Sequence, residues 1–256
     1  MARLGRMMTG VCRRAMSTAK GPGFFELRQY DIKPDQIKFY LSETTKHAAD
    51  RANAFNSPGS RFLGFWSTEI GGNLNRVHHL YHYSDYNTRD KVRAAAAANE
   101  GWNAYLAKVK PAMVSQQSSA FIEASTVLSS CSLPGALEWK PPAESPLKVA
   151  YEMRVYQLQL GYNRVPDFLK LYGGGLPDKL RADKTGASEL VTLLFSDSGP
   201  MNKVIEIWRH ESMQRSLDSR VASREAAKWK EAIAGIAQEA MSFETWTLRP
   251  CIGDWK

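Results

Sequence analysis

Apolar and polar positions alternate from Phe24 to Ile32, with Phe25 and Leu27 on one side and Glu26, Arg28 and Tyr30 on the other. A strand with two chemically different faces is the expectation. Pro34 opens a stretch of helical period to about Phe55, with Ile37, Tyr40, Leu41, Thr44 and Ala48 at three- and four-residue steps. Asn56-Ser57-Pro58-Gly59 ends it. Phe62 to Ile70 and Arg76 to Tyr83 read as a β-hairpin about Gly71-Gly72-Asn73. An alanine-rich helix follows from Tyr86 to about Ala98. Its apolar face resumes at Trp102, Tyr105, Leu106 and Val109 until Pro111, and Ser119 to Leu128 alternates again. The order strand, helix, strand, strand, helix, strand is that of a ferredoxin-like unit, an antiparallel four-stranded sheet with both helices on one face.

The order then recurs. Gly72 falls on Gly199, Asn75 on Asn202, Val77 on Val204, Leu80 on Ile207, Tyr81 on Trp208 and Trp102 on Trp229, each 127 positions on. At one position less, Phe25-Glu26-Leu27-Arg28-x-Tyr30 meets Tyr151-Glu152-Met153-Arg154-x-Tyr156. The expected strands of the second copy are Tyr151 to Leu160, Leu190 to Ser196, Lys203 to Arg209 and Ser242 to Leu248. Asn163 to Leu180 is its first helix, interrupted or kinked at Gly173-Gly174-Gly175 and Pro177, and Ser212 to Gln238 is its second helical region. The chain therefore divides into a leader (1–23), a first domain (24–128), a linker carrying Pro134, Pro141, Pro142 and Pro146 (129–148), a second domain (149–250) and a short tail (251–256). The fold class is α+β. A single unit would leave a sheet face carrying aromatics in water, so the two ferredoxin-like domains are expected to pack sheet to sheet.

Charge changes the picture little. Of the formal net charge of +8, Arg3, Arg6, Arg13, Arg14 and Lys20 in the leader supply five, which leaves an ordinary +3 for the rest. No Lys/Arg cluster with interleaved aromatics appears in the body, which argues against nucleic acid as a partner. The leader places its arginines on one side of a helix and Leu4, Met7, Met8 and Val11 on the other, with Ser17-Thr18 following. That pattern matches a mitochondrial transit peptide better than a plain basic tail, in which charge has no reason to gather on one face. No apolar run is long enough to suggest a transmembrane helix. Cys12, Cys131 and Cys251 are odd in number and far apart, which fits neither a disulfide framework nor a zinc site.

Candidate chemistry is sparse. His78, His79 and His82 invite a metal, but on a strand His78 and His82 stand roughly 13 Å apart, too far to share one ion. No metal site and no cofactor are expected. Glu26, Arg28 and Tyr30, with Glu152, Arg154 and Tyr156, alternate away from the helix-packed face that the pattern predicts and are expected to line the space between the sheets. His79, Tyr81, Glu206 and Trp208 are expected to share it, because Ile205 and Ile207 claim the other face of their strand. Such a lumen reads in two ways, as a ligand pocket with shifted pKa values or as Glu-Arg pairs that satisfy one another. Gly72, Asn75, Gly199 and Asn202 read as hairpin chemistry, glycine for positive φ and asparagine for a local side-chain bond. No nucleophile elbow, Walker sequence or HExxH is present, and no catalytic residue is assigned.

Gly71 to Tyr83, Gly-Gly-Asn-Leu-Asn-Arg-Val-His-His-Leu-Tyr-His-Tyr, joined to Phe-Glu-Leu-Arg-Gln-Tyr at Phe25 to Tyr30, resembles the NipSnap family, and within it the branch named homolog 3. The resemblance covers both repeats, from about Phe24 to Arg249. It implies the dimeric α/β-barrel superfamily, here with both halves in one chain, and further self-association remains compatible with that. It implies mitochondrial association, in the matrix or at a membrane, with a cytosolic pool compatible. Some relatives recruit autophagy receptors on damaged mitochondria, and vesicular transport is an older proposal for the family. The expected function is thus a non-enzymatic mitochondrial interaction or adaptor protein with protein partners such as autophagy adaptors. The alternative is a small-molecule binder or monooxygenase-type barrel using the intersheet cavity, since superfamily relatives include haem-handling and cofactor-independent monooxygenases.

Overall fold

A computed structural model describes residues 23–142 and 148–252. The basic leader, the 143–147 part of the linker and the last four positions lie outside the described residues. The first repeat runs β1 (Phe24–Ile32), α1 (Ile37–Lys46), α2 (Ala48–Phe55), β2 (Ser60–Ile70), β3 (Arg76–Tyr83), α3 (Tyr86–Ala97), α4 (Glu100–Val109) and β4 (Met113–Glu123). A short α5 (Ser125–Ser130) leads to β5 (Ala150–Leu158), α6 (Arg164–Ala182), β6 (Ser188–Ser198), β7 (Lys203–His210), α7 (Met213–Ser223), α8 (Ala227–Glu239) and β8 (Ala240–Pro250). Every adjacent strand pair is antiparallel.

The sheets close on one another. Strand order is β1-β3-β2-β8-β5-β7-β6-β4, a closed barrel in which β2 meets β8 and β4 meets β6. Those two seams join the repeats and leave neither sheet an edge, which removes the exposed strand that a lone ferredoxin-like unit would carry. The helices lie outside the barrel. Their starts follow the sequence: Asp85 caps α3 through Thr88 N at 2.7 Å, and Asn99 caps α4 through Trp102 N at 2.8 Å. The helical stretch from Pro34 divides at His47, and Asn99 is where the alanine-rich helix stops and the next begins.

Two expectations about elements are corrected. The last strand of repeat one begins at Met113, and Ser125 onward is helical, because β4 must pair along all of β1 before crossing to β6. Helix α6 is continuous through Gly173-Gly174-Gly175 and Pro177. Gly175 is a packing surface: a Cβ there would stand 2.6 Å from the Ala232 Cβ and 3.0 Å from the Lys228 carbonyl oxygen of α8.

The space between the sheets is filled. Phe25, Leu27, Leu63, Trp66, Leu80 and Phe121 of the first repeat meet Tyr151, Met153, Val155, Val191, Leu194, Ile205 and Ile207 of the second in one buried apolar cluster. Ala136 and Trp139, within the stretch read as linker, belong to it as well. The residues expected to line this lumen therefore face the other way. Tyr30 and Tyr81 pack with Tyr40, Phe55, Trp102 and Tyr105 from the helices, and Tyr156 and Trp208 pack with Phe168, Tyr172 and Trp229. Glu26, His79, Glu152 and Glu206 alternate in step with them and bond to helix-side groups, and Arg28 and Arg154 on the same face bond to Glu26 and Glu152. The physical reason is solvation by partners. A lumen walled by two sheets has few side-chain donors for a buried carboxylate, whereas helices bring arginine, serine and tyrosine to it.

The hairpins need positive φ at Gly71 (95°), Gly199 (110°) and Asn202 (55°). Gly72, expected to do so, does not; the turn is made one residue earlier. A Cβ on Gly71 would lie 2.1 Å from the Thr245 carbonyl oxygen, where β8 crosses closely. Asn202 donates to the carbonyls of Gln159 and Gly161 at 2.8 and 3.1 Å, while at the first hairpin the local bond is donated by the Asn75 backbone N–H to Asn73 Oδ1 at 3.0 Å.

Candidate functional site

Each repeat builds a polar cluster between its sheet and its helices, starting from the repeated Glu-x-Arg-x-Tyr. In repeat one Glu26 is buried and accepts Arg28 Nε at 2.9 Å, Arg89 from α3 at 3.0 and 3.1 Å, and Ser118 Oγ at 2.6 Å. Burial alone would raise its pKa, but Arg89, Arg28 and Ser118 overcome that and lower it to about 2. Arg28 Nη1 donates to the Tyr30 hydroxyl at 2.9 Å. The equivalent Glu152 accepts Arg154 Nε at 3.0 Å, with His210 at 3.1 Å, Ser216 at 3.2 Å and Arg220 at 3.4 Å around it. This layer is the self-satisfied ion pairing that the sequence allowed.

One step further along the strands the repeats part. Across β1 and β3, Arg28 stands opposite His79; across β5 and β7, Arg154 stands opposite Glu206. Glu206 is fully buried and accepts Tyr156 Oη at 2.5 Å, Tyr172 Oη at 2.8 Å and Trp208 Nε1 at 2.5 Å, with Arg154 Nη1 at 3.9 Å. Lys179 of α6 lies over Trp208 and Trp229, 4.1 and 4.6 Å from their ring centroids. Burial first, then Arg154, lowers its pKa to about 7.

In repeat one the same place is open. A cavity of about 320 Å³ lies beneath α2, α3 and α4, lined by Arg28, Tyr30, His79, Gln116, Arg51, Tyr105 and Arg93 among others. Arg51 of α2 is 3% exposed, and its guanidinium is 4.9 Å from the Trp102 centroid and 5.0 Å from that of Phe65. It donates to Tyr81 Oη at 2.5 Å and Tyr105 Oη at 3.1 Å, and makes no ion pair among the described residues. Burial would lower its pKa, but the surrounding tyrosine oxygens outweigh it and the group stays charged. His79 is 1% exposed, its Nδ1 is 3.4 Å from both Arg51 and Tyr81, and its Nε2 has no hydrogen-bond partner among the described residues. Burial, with Arg51 and Arg28 beside it, keeps the imidazole well below its usual pKa and hence neutral.

Of the residues singled out from sequence, Glu26, Arg28, Tyr30, His79 and Tyr81 come together here, and Glu152, Arg154, Tyr156, Glu206 and Trp208 form the matching cluster of repeat two. The two clusters belong to separate helix-sheet layers, one on each side of the filled barrel. His78 bonds Thr68 at 2.9 Å and Gln29 at 3.2 Å, away from His79. Sequence reasoning missed Arg51, Arg93, Tyr105 and Lys179. The signal for two of them was present: Arg51 falls on the buried stripe Tyr40, Thr44, Arg51, Phe55, and Lys179 on Phe168, Tyr172, Leu176. A cation on an otherwise buried stripe needs a polar surface opposite.

The fold and this layered arrangement define a dimeric α/β barrel fused into one polypeptide, with an open helix-sheet cavity in its first half. The NIPSNAP family model matches residues 25–127 and 151–250, and the chain belongs to that family. It is 27% identical over 221 residues to human protein NipSnap homolog 3A and 26% identical to human protein NipSnap homolog 3B, each match covering 86% of this chain and 78% of the relative. A solved structure from Fusobacterium nucleatum, described as a candidate monooxygenase, superposes with a TM-score of 0.62 at 14% identity, covering 91% of this chain and 94% of that one. That likeness is one of fold. Among the described residues no helix is long and apolar enough to cross a membrane.

Proposed function

We propose that this NIPSNAP-family protein is a small-molecule-binding module whose ligand enters the helix-sheet cavity of the first repeat. The observation that carries this reading is the coincidence of a cavity of about 320 Å³ with a buried imidazole nitrogen that has no partner, and a buried arginine that has no carboxylate, among the described residues. Buried polar groups are normally satisfied and buried charges normally paired, so an imidazole nitrogen without a hydrogen bond beside a guanidinium held only by neutral hydroxyls and rings, both lining a void, supports a site that a ligand completes. The apolar packing that fills the lumen speaks against the intersheet version of this idea, and the cavity between sheet and helices supports the version proposed here. Ligand-observed NMR with a library of small aromatic compounds tests it, with Ala97→Trp, which fills the cavity from α3, as the blank. Hits that disappear in Ala97→Trp are expected; hits that persist unchanged, or none at all, overturn the reading.

A second reading, a mitochondrial adaptor with autophagy receptors or vesicle proteins among its partners, rests on the family resemblance and on the one-sided arginines of the leader. Both functions can reside in one chain, because the cavity leaves most of the outer helical surface free. Proximity labelling in intact and depolarised mitochondria checks it, and the absence of autophagy-receptor neighbours in both states counts against it.

A further inference from the structure

The duplication supplies an internal control for what the open site lacks. Both repeats build the same box: an arginine on the first strand, a cation from the helix above it, and a tryptophan under that cation. In repeat one these are Arg28, Arg51 and Trp102, and in repeat two Arg154, Lys179 and Trp229. Repeat two completes its box with an anion. The Glu206 carboxylate sits at the register position opposite Arg154 and takes three hydrogen bonds there. Repeat one has His79 at that position, neutral, with Nε2 unpartnered among the described residues and a cavity beside it. Arg89 already neutralises Glu26, so Arg51 and Arg93 are left without a carboxylate among the described residues. A buried cation whose partner is missing is costly, and the cost is relieved by whatever brings the partner.

We infer that the first-repeat cavity takes a small aromatic carboxylate, whose carboxylate lies between Arg28, Arg51 and His79 in the place that Glu206 fills in the second repeat. The inference rests on the ligand-site reading above and deepens it. The choice of carboxylate follows from the donors that remain. Arg28 Nε and Nη1 are committed to Glu26 and Tyr30, and Arg51 Nη1 and Nη2 to Tyr81 and Tyr105. Arg93 and Lys110 also line the cavity but stand nearer solvent, so at its buried end, beside Arg51 and His79, few donors remain, and these suit two oxygens sharing one charge better than a phosphate with three oxygens and nearly two charges. An aromatic body follows from the walls, where Tyr30, Tyr40, Phe55, Trp102 and Tyr105 surround a space at the small end of ligand pockets.

Calorimetric titration of the full chain with matched pairs, phenylacetate against phenylacetamide and 4-hydroxybenzoate against its amide, with phenyl phosphate as a third probe, tests this. The acids are expected to bind at least ~10-fold more tightly than the amides, the ratio typical of a charge-assisted hydrogen bond. His79→Glu brings into the site the carboxylate that repeat two already has, so it is expected to lose acid binding and to melt at a higher temperature. Arg51→Met provides an independent check, since it should bring acid and amide to equal affinity. Equal binding of acid and amide to the natural chain, with both lost in Ala97→Trp, overturns the carboxylate while leaving the cavity as a ligand site. Preference for phenyl phosphate overturns it likewise. No binding of any probe, together with an empty NMR screen, removes the ligand site itself.

Discussion

The two repeats start from one plan and end in different chemistry. In the second, Glu206 is bonded by Tyr156 and Tyr172 with Lys179 beside it over Trp208, whereas in the first, His79 replaces the carboxylate and a cavity stands beside an Arg51 that has no carboxylate among the described residues. The difference teaches what duplication permits. Once one copy satisfies itself and holds its half of the barrel, the other can keep a buried site incomplete, and an incomplete buried site is one that a ligand can finish.

The largest expected effect comes from exchanging the two register positions for the same neutral residue. Glu206→Gln leaves Tyr156, Tyr172 and Trp208 without their buried carboxylate, Lys179 without its nearby anion and Arg154 with Glu152 alone, and should cost ~3–5 kcal/mol, whereas His79→Gln removes two long polar contacts and ring packing on Tyr30 and Phe65 and should cost about 1 kcal/mol. Urea denaturation of both variants checks this, and equal costs would erase the distinction between the sites.

The cations differ next. Lys179 has a folded-state pKa of about 7 against 10.5 in the unfolded chain, so between those values the unfolded chain binds the extra proton and stability rises with pH. The gain should be on the order of 2 kcal/mol, smaller than the full shift implies because unfolded tyrosines begin to ionise near pH 10 and pull the other way. Lys179→Met should flatten the rise, and Arg51→Met should leave it, because a guanidinium does not titrate in that window. A natural chain whose urea midpoint is level from pH 7 to 10 contradicts this.

The smallest effects test how α6 sits. Gly175→Ala should cost ~1–3 kcal/mol, since its Cβ would meet Ala232 and α8 backbone, while Gly174→Ala, with nothing within 4 Å, should stabilise by ~0.4–1 kcal/mol. Thermal melts of the pair decide whether the glycine run is a packing surface or a break, and a gain in both would point to a break.

The architecture was legible because repetition is a property of sequence alone. The 127-residue spacing of Gly72 and Gly199, and of Trp102 and Trp229, needs no geometry to be seen, and the hairpin β3 ends where its alternation ends. The orientation of the strands was not legible from alternation. In a barrel wrapped by helices both faces of β1 are buried, so Phe25 and Leu27 on one side and Phe24 and Tyr30 on the other give period two without saying which side meets helices. The answer lay in the helices, where Arg51 and Lys179 on buried stripes require the polar strand face opposite. Continuity of α6 was missed for a related reason: glycine lowers helix propensity locally, but the contact with α8 that it allows is made by residues 50 or more positions away.

The most direct measurement is the crystal structure of the natural chain grown with 4-hydroxybenzoate. The account expects the carboxylate oxygens within hydrogen-bond distance of Arg28 and Arg51, with His79 Nε2 newly partnered and the ring against Trp102 or Tyr105. Difference density showing the acid bound elsewhere, or a saturated crystal whose first-repeat cavity holds only water, would contradict it.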